Sequence, residues 1–266
     1  MFRYWPRGGD AVPLVKKTMQ FVKYYWVGVV ALLLVGEVCH SQVILNRKSS
    51  VLTPGSREIN VWMARMTSGL YRTVQTRIEW EVGVLRFYQA SLYLNYDSRI
   101  RRADLDIAPH GHLSFSLANR FRLLDPKHHR VGMTLYIEPT WAEDYTRWEF
   151  KWIADRRWTR HMGIVNFTYE YTRFFYASVP KHEGIWNFGY IYFPIGQWGV
   201  GVEGAIVWER LLEERKPERI GIGLVCSGRL SGKHSIVVGA YPYYQLEDGR
   251  WERVDMQYRA IFGMDL

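Results

Sequence analysis

The chain has 266 residues and a formal net charge of +9, a length that fits one large domain or two small ones. Its 35 Lys and Arg are interleaved with 26 Asp and Glu rather than gathered in a stripe, and neither zinc-finger spacing nor an RRM signature occurs, which argues against nucleic-acid binding. Aromatic residues make up 16% of the chain, with 12 Trp and 18 Tyr. Such rings, apolar in body and polar at the edge, favour a membrane–water interface, although a Tyr-rich soluble sandwich shares the composition.

The first element in the chain is an apolar run at residues 27–36, VGVVALLLVG. Ten helical residues rise about 15 Å, half of a hydrocarbon core about 30 Å thick. The run is too short to span and suits the apolar centre of a signal peptide. Lys16, Lys17 and Lys23 supply the positive flank, and Cys39 and Ser41 stand at −3 and −1 of a cleavage site after Ser41. Residues 1–41 are therefore read as a signal peptide, with Met19 as an alternative start and an uncleaved signal anchor as the competing reading. Cleavage leaves Cys226 as the one thiol of the mature chain, in keeping with a fold that needs no disulfide. Residues 42–56 contain Asn46, Arg47, Lys48, Ser49, Ser50, Pro54 and Gly55 and read as a flexible periplasmic lead-in.

From residue 57 to residue 266 the dominant period is two, as strands with two unlike faces require. Val74, Thr76, Ile78, Trp80, Val82 and Val84 oppose Arg77, Glu79, Glu81 and Gly83. Tyr88, Ala90, Leu92, Leu94 and Tyr96 oppose Gln89, Ser91, Tyr93 and Asn95. Leu113, Phe115, Leu117, Phe121 and Leu123 oppose Ser114, Ser116, Arg120 and Arg122, and Trp148, Phe150 and Trp152 oppose Arg147, Glu149 and Lys151. Trp198, Val200, Val202, Ile206 and Trp208 oppose Gly199, Gly201, Glu203 and Glu209. The last strand sets Val254, Met256, Tyr258, Ala260, Phe262, Met264 and Leu266 against Arg253, Asp255, Gln257, Arg259, Ile261, Gly263 and Asp265, a face largely charged or polar. A chain ending on such a strand fits an outer-membrane barrel, with the terminal strand as part of the signal read by the barrel-assembly machinery.

The pattern predicts an all-β chain, a transmembrane antiparallel up-and-down β-barrel of twelve strands over residues 57–266, with ten as the alternative count. An even number is what bacterial barrels use. A Lys or Arg on the lipid face at the midplane costs about 2–4 kcal/mol, so the charged faces belong to the lumen and the apolar faces to lipid. A soluble barrel would reverse this. Longer connections fall on one side of the barrel and most short ones on the other, which puts both termini in the periplasm.

The lumen-facing candidates are Arg77, Glu79, Glu81, Arg120, Arg122, Glu138, Arg147, Glu149, Lys151, Glu170 and Glu203. Opposite charges on adjacent strands can pair and fill the interior, or can line a narrow pore, and twelve strands leave modest room for either. A plugged or narrow interior is the expectation. His110, His112, His128 and His129 fall in or beside connections without a third ligand at metal spacing and read as solvated histidines, so no metal or cofactor is expected. His112 and Ser114 share a face, but the Asn-His-Ser pattern of a lipid-acting barrel enzyme is missing. The expected partners are outer-membrane lipid and a small solute.

Several stretches carry a family resemblance: Ala90-Ser91-Leu92-Tyr93-Leu94-Asn95, Asn119-Arg120-Phe121-Arg122-Leu123-Leu124-Asp125-Pro126 and Val131-Gly132-Met133-Thr134-Leu135-Tyr136-Ile137-Glu138-Pro139. Tyr169-Glu170-Tyr171 and the final Ile261-Phe262-Gly263-Met264-Asp265-Leu266 add to them. The most specific part is the Leu-Leu-Asp-Pro turn followed by the Tyr-x-Glu-Pro strand. In these stretches the chain resembles a family of Gram-negative outer-membrane β-barrels of unassigned activity, described as transporters and grouped with barrels near aromatic-degradation pathways. The resemblance implies a barrel with a transport role and brings no catalytic residues. A structural or adhesive barrel and a lipid-acting enzyme are the alternatives.

Overall fold

The structure, a computed structural model, describes residues 49–68, 71–101, 110–209, 218–247 and 250–266. The signal-peptide segment 1–41 and residues 42–48 of the lead-in lie outside the described residues.

The described residues form β1 (Arg57–Ser68), β2 (Tyr71–Leu85), β3 (Tyr88–Arg101), β4 (His110–Leu124), β5 (Gly132–Ala142) and β6 (Tyr145–Trp158). They continue as β7 (His161–Phe174), β8 (Lys181–Ile195), β9 (Trp198–Trp208), β10 (Arg219–Ser231), β11 (His234–Glu247) and β12 (Arg250–Asp265). Each strand pairs antiparallel with its neighbours in sequence, and β1 pairs with β12 from Glu58↔Asp265 to Ser68↔Asp255. The barrel is closed and no edge strand is left to template aggregation. Twelve strands are observed, and the ten-strand alternative falls. Their lengths of 11–16 residues meet the roughly 9–11 needed to cross a hydrocarbon core, and the longer strands exceed it.

Alternation decides which side chain goes where. Ile78, Trp80, Leu92, Leu94, Phe115, Leu117, Trp148 and Trp152 point outward and are exposed, while Glu79, Glu81, Ser91, Ser116, Glu138 and Glu203 point inward and are buried. This is the inverse of a soluble barrel and is stable only where lipid replaces water outside. Four of the five register shifts, at Gly83/Leu85, Arg122/Leu124, Tyr192/Ile195 and Arg229/Ser231, lie at the end of the barrel that holds both termini. Bulges at a barrel rim bend the strand and re-aim its side chains. The two-residue turns at that end include Thr159 (φ +50°) and Gly196 (φ +53°), the left-handed backbone that tight hairpins demand.

Candidate functional site: the barrel interior

Of the eleven residues singled out from the sequence, Glu79, Glu81, Arg120, Glu138, Glu149 and Glu203 are buried and Arg77, Arg122, Arg147, Lys151 and Glu170 are half-buried, and they do not form one group. Glu79 and Glu138 are fully buried at the centre of a hydrogen-bonded chain across β1, β2, β3 and β5. Trp62 Nε1 donates to Glu79 Oε2 at 2.8 Å, and the Tyr93 hydroxyl donates to the other Glu79 oxygen. The Tyr136 hydroxyl lies 3.4 Å from that of Tyr93 and donates to Glu138. Arg77 stands 3.7 Å from Glu138 and 4.7 Å above the Tyr93 ring, and Lys151 lies 5.1 Å above the Tyr136 ring. Burying these carboxylates is tolerable because each is hydrogen-bonded and faces a cation.

The strand register then creates a conflict. Glu138 lies opposite Glu149, Glu149 opposite Glu170, and Glu170 opposite Glu183, so four carboxylates run across β5, β6, β7 and β8 in one row. Like charges directly opposite are destabilising. Cations in the adjacent rows offset them: Arg147 reaches Glu138 at 3.9 Å and Glu170 at 3.8 Å, Lys151 meets Glu149 at 2.7 Å and Lys181 meets Glu183 at 3.0 Å. Glu203 sits apart on β9, buried and accepting from the Tyr241 hydroxyl at 2.8 Å.

Arg120, Arg122 and Glu81 serve the terminal end of the barrel. Arg122 pairs with Asp125 at 3.0 Å and donates to the Arg86 carbonyl, so it ties two turns together at the rim. Arg120 lies 3.9 Å from Glu81 and donates to the Ser50 carbonyl at 3.0 Å. That second contact belongs to a strap the sequence reading missed. Residues 49–56, expected as the end of a flexible lead-in, are packed against the inner wall. Ser49 is fully buried: its N–H and hydroxyl donate to the two Asp155 carboxylate oxygens at 3.0 and 2.5 Å, and its carbonyl accepts from Thr134. The Leu52 N–H donates to Gln89 Oε1 at 2.8 Å. Glycine makes the approach possible at two points, since a Cβ on Gly83 would lie 2.1 Å from the Thr53 carbonyl oxygen and one on Gly132 would lie 1.9 Å from Ser49 Oγ. The strap therefore lies across β2 to β6 at the end where the chain enters.

Much of the interior is also apolar, against the expectation of a polar lumen. Met162, Ile164, Ile191, Phe193, Ala205, Val207, Val225, Val237, Tyr241, Tyr243 and Ile261 form one buried cluster on the inner faces of β7 to β12, with Trp62 and Ile185 packed against it. The interior has a charged wall on β2 to β8 and an apolar wall on β7 to β12. The available signal was the loss of alternation, for where both faces are apolar a strand reads as a continuous run, as in Ile191-Tyr192-Phe193 and Ala205-Ile206-Val207-Trp208. Between the two walls lies a cavity of about 350 Å³. Trp62, Ile185, Ala205, Val207 and Tyr243 line it on the apolar side, Arg77, Arg147, Glu149, Lys151 and Glu170 on the charged side, and Arg219 and Arg259 complete it.

Among the described residues no group of three His, Cys, Asp or Glu is placed to hold a metal ion. His128 and His129 are exposed in the β4–β5 turn, and His112 is exposed two positions from the buried Ser114.

No protein-family model matches the chain, and no curated protein matches it. Solved structures do. An outer membrane channel from Pseudomonas putida F1 superposes with a TM-score of 0.62 at 6% identity, over 82% of this chain and 98% of that one. The NanC porin gives 0.55 at 10% identity over 78% and 100%. The KdgM porin in complex with disordered oligogalacturonate gives 0.54 at 8% over 79% and 99%. At these identities the likeness is one of fold, a closed antiparallel β-barrel of the kind seen in those two porins and that outer membrane channel.

Proposed function

We propose that the chain is a narrow porin or transporter for a small solute, not an enzyme. The observation that carries this reading is the cavity between the charged and the apolar wall, enclosed by a complete barrel. Supporting it, the neighbours in structure are described as porins and a channel. The solute pathway is lined by Arg77, Arg147, Glu149, Lys151 and Glu170, whereas Glu79, Glu138 and Glu203 hold neighbouring wall residues in place. The strap narrows the pathway at the terminal end.

That end faces the periplasm. Connections of eight and six residues at 102–109 and 175–180 and the long one after Trp208 lie at the far end, while most at the terminal end are two residues long. Short periplasmic turns and long extracellular loops are the rule for these barrels. Residues 1–41 serve as the export signal, cleaved after Ser41, and β12 is the strand offered to the assembly machinery. The filled interior and the strap also favour a second reading, a closed structural barrel. Liposome swelling separates the two: proteoliposomes of the pure protein are expected to swell in small solutes and to exclude large oligosaccharides. No swelling with any solute favours the closed barrel.

A further inference from the structure

We infer that the interior cavity is a binding site for a small organic anion with an apolar body, its acid group held by Arg259. The inference rests on reading the barrel as a solute pathway and names the chemical class of the solute.

Five cations line the cavity: Arg77, Arg147, Lys151, Arg219 and Arg259. Four of them are engaged. Arg77 and Arg147 reach Glu138, Lys151 reaches Glu149, and Arg219 meets Glu209 at 2.6 Å. Among the described residues Arg259 has no carboxylate partner, which sets it apart; its buried Nε has no hydrogen-bond acceptor, a lack it shares with the Nε atoms of Arg147 and Arg219. A buried guanidinium N–H without an acceptor is costly, and a ligand carboxylate matches the fork of donors with two parallel hydrogen bonds.

One neighbour of Arg259 leaves room for such a ligand. Its cross-strand partners are Gly239 on β11 and Ala64 on β1; the buried Tyr241 ring fills the space over Gly239, while Ala64 lines the cavity. Beyond them the apolar wall of Trp62, Ile185, Ala205, Val207 and Tyr243 offers a surface for a ring or short chain. The carboxylate row supplies orientation. β6 is six strands from β12 in the twelve-strand order, so Glu149 faces Arg259 from across the barrel. The cations of the opposite wall are taken up by its carboxylates, so an anion entering the cavity is drawn to Arg259, with its apolar body against the wall between. A cavity of about 350 Å³ lies at the small end of ligand sites and suits one ring or a short chain better than an oligomer.

The test is calorimetric titration of the folded barrel in detergent micelles with three probes: benzoate, its neutral counterpart benzyl alcohol, and acetate, an anion with almost no apolar body. Benzoate is expected to bind at one site, with benzyl alcohol and acetate each at least tenfold weaker. Arg259→Gln is expected to weaken benzoate at least tenfold, and Arg259→Lys, which keeps the charge and loses the fork, by less. Absence of benzoate binding, acetate binding as tightly as benzoate, or unchanged affinity in Arg259→Gln would each overturn the inference. Should Arg259→Gln fail to fold, Arg259→Lys and the ranking of the three probes on the unaltered barrel still decide. Swelling assays read the pathway separately: a barrel that binds benzoate and passes nothing refutes transport and leaves the site standing.

Discussion

Asp125 organises the turn between β4 and β5 with two acceptors. Its side chain accepts from the Lys127 N–H at 2.9 Å, and its carbonyl accepts from the N–H groups of His128 and His129 at 3.0 and 2.9 Å. The Lys127 hydrogen bond, helped by the Arg122 guanidinium, holds its carboxyl below the ordinary carboxylate range. A depressed value means that the contribution is complete above that range and is lost as pH falls through the lowered value. Protection of the Lys127 amide from hydrogen exchange, measured against its intrinsic rate at each pH, is therefore expected to be lost only in strong acid. Asp125→Asn, which keeps the acceptor, should remove that dependence, and Asp125→Ala should speed exchange at every pH. Thr159 is a β-branched residue in left-handed backbone (φ +50°), a placement that costs about 1–2 kcal/mol. Thr159→Asn is expected to raise stability by about 1 kcal/mol in urea unfolding from phospholipid vesicles. On the lipid face, Leu94 sits midway along β3 and is exposed. Leu94→Arg is expected to cost about 2–4 kcal/mol in the same assay, and a negligible effect would show that this face does not meet lipid.

The strands differ in how much of them was legible in the sequence. In β2, β3 and β4 one face is charged or polar and the other apolar, and each strand could be both located and oriented from its period. In β8 and β9 that signal fades because Ile191, Phe193, Ala205 and Val207 face an apolar interior, and in β9 the expected lumen face was Gly199, Gly201, Glu203 and Glu209 alone. Register was beyond reach as well. The row of Glu138, Glu149, Glu170 and Glu183 exists only once β5 to β8 are aligned, and nothing local to any one strand announces it. The strap was hidden for another reason: Ser49, Ser50, Pro54 and Gly55 have loop composition, and their partners Asp155, Thr134, Arg120 and Gln89 lie far along the chain. Gly132 was visible as one residue of a family-like stretch, and only the structure shows that it makes space for Ser49. Gly132→Val is expected to expel the strap and to expose residues 49–56 to limited proteolysis, with the barrel still folded.

The whole molecule is held by a closed ring of antiparallel pairs, in which β1 and β12 bring residues from the two ends of the described chain into register. Such a ring opens all at once, so the mature protein is expected in the outer-membrane fraction with heat-modifiable migration on gels. Its mass is expected to correspond to a start at Gln42. The central claim is that a solute path runs through the interior and is narrowed by the strap at the terminal end. Single-channel recording in planar bilayers tests it most directly, comparing the unaltered barrel with Asp155→Ala, which removes both acceptors of Ser49. Small discrete conductance steps are expected for the unaltered barrel and larger steps for Asp155→Ala. Silence from both proteins, or steps of the same size in both, would contradict it.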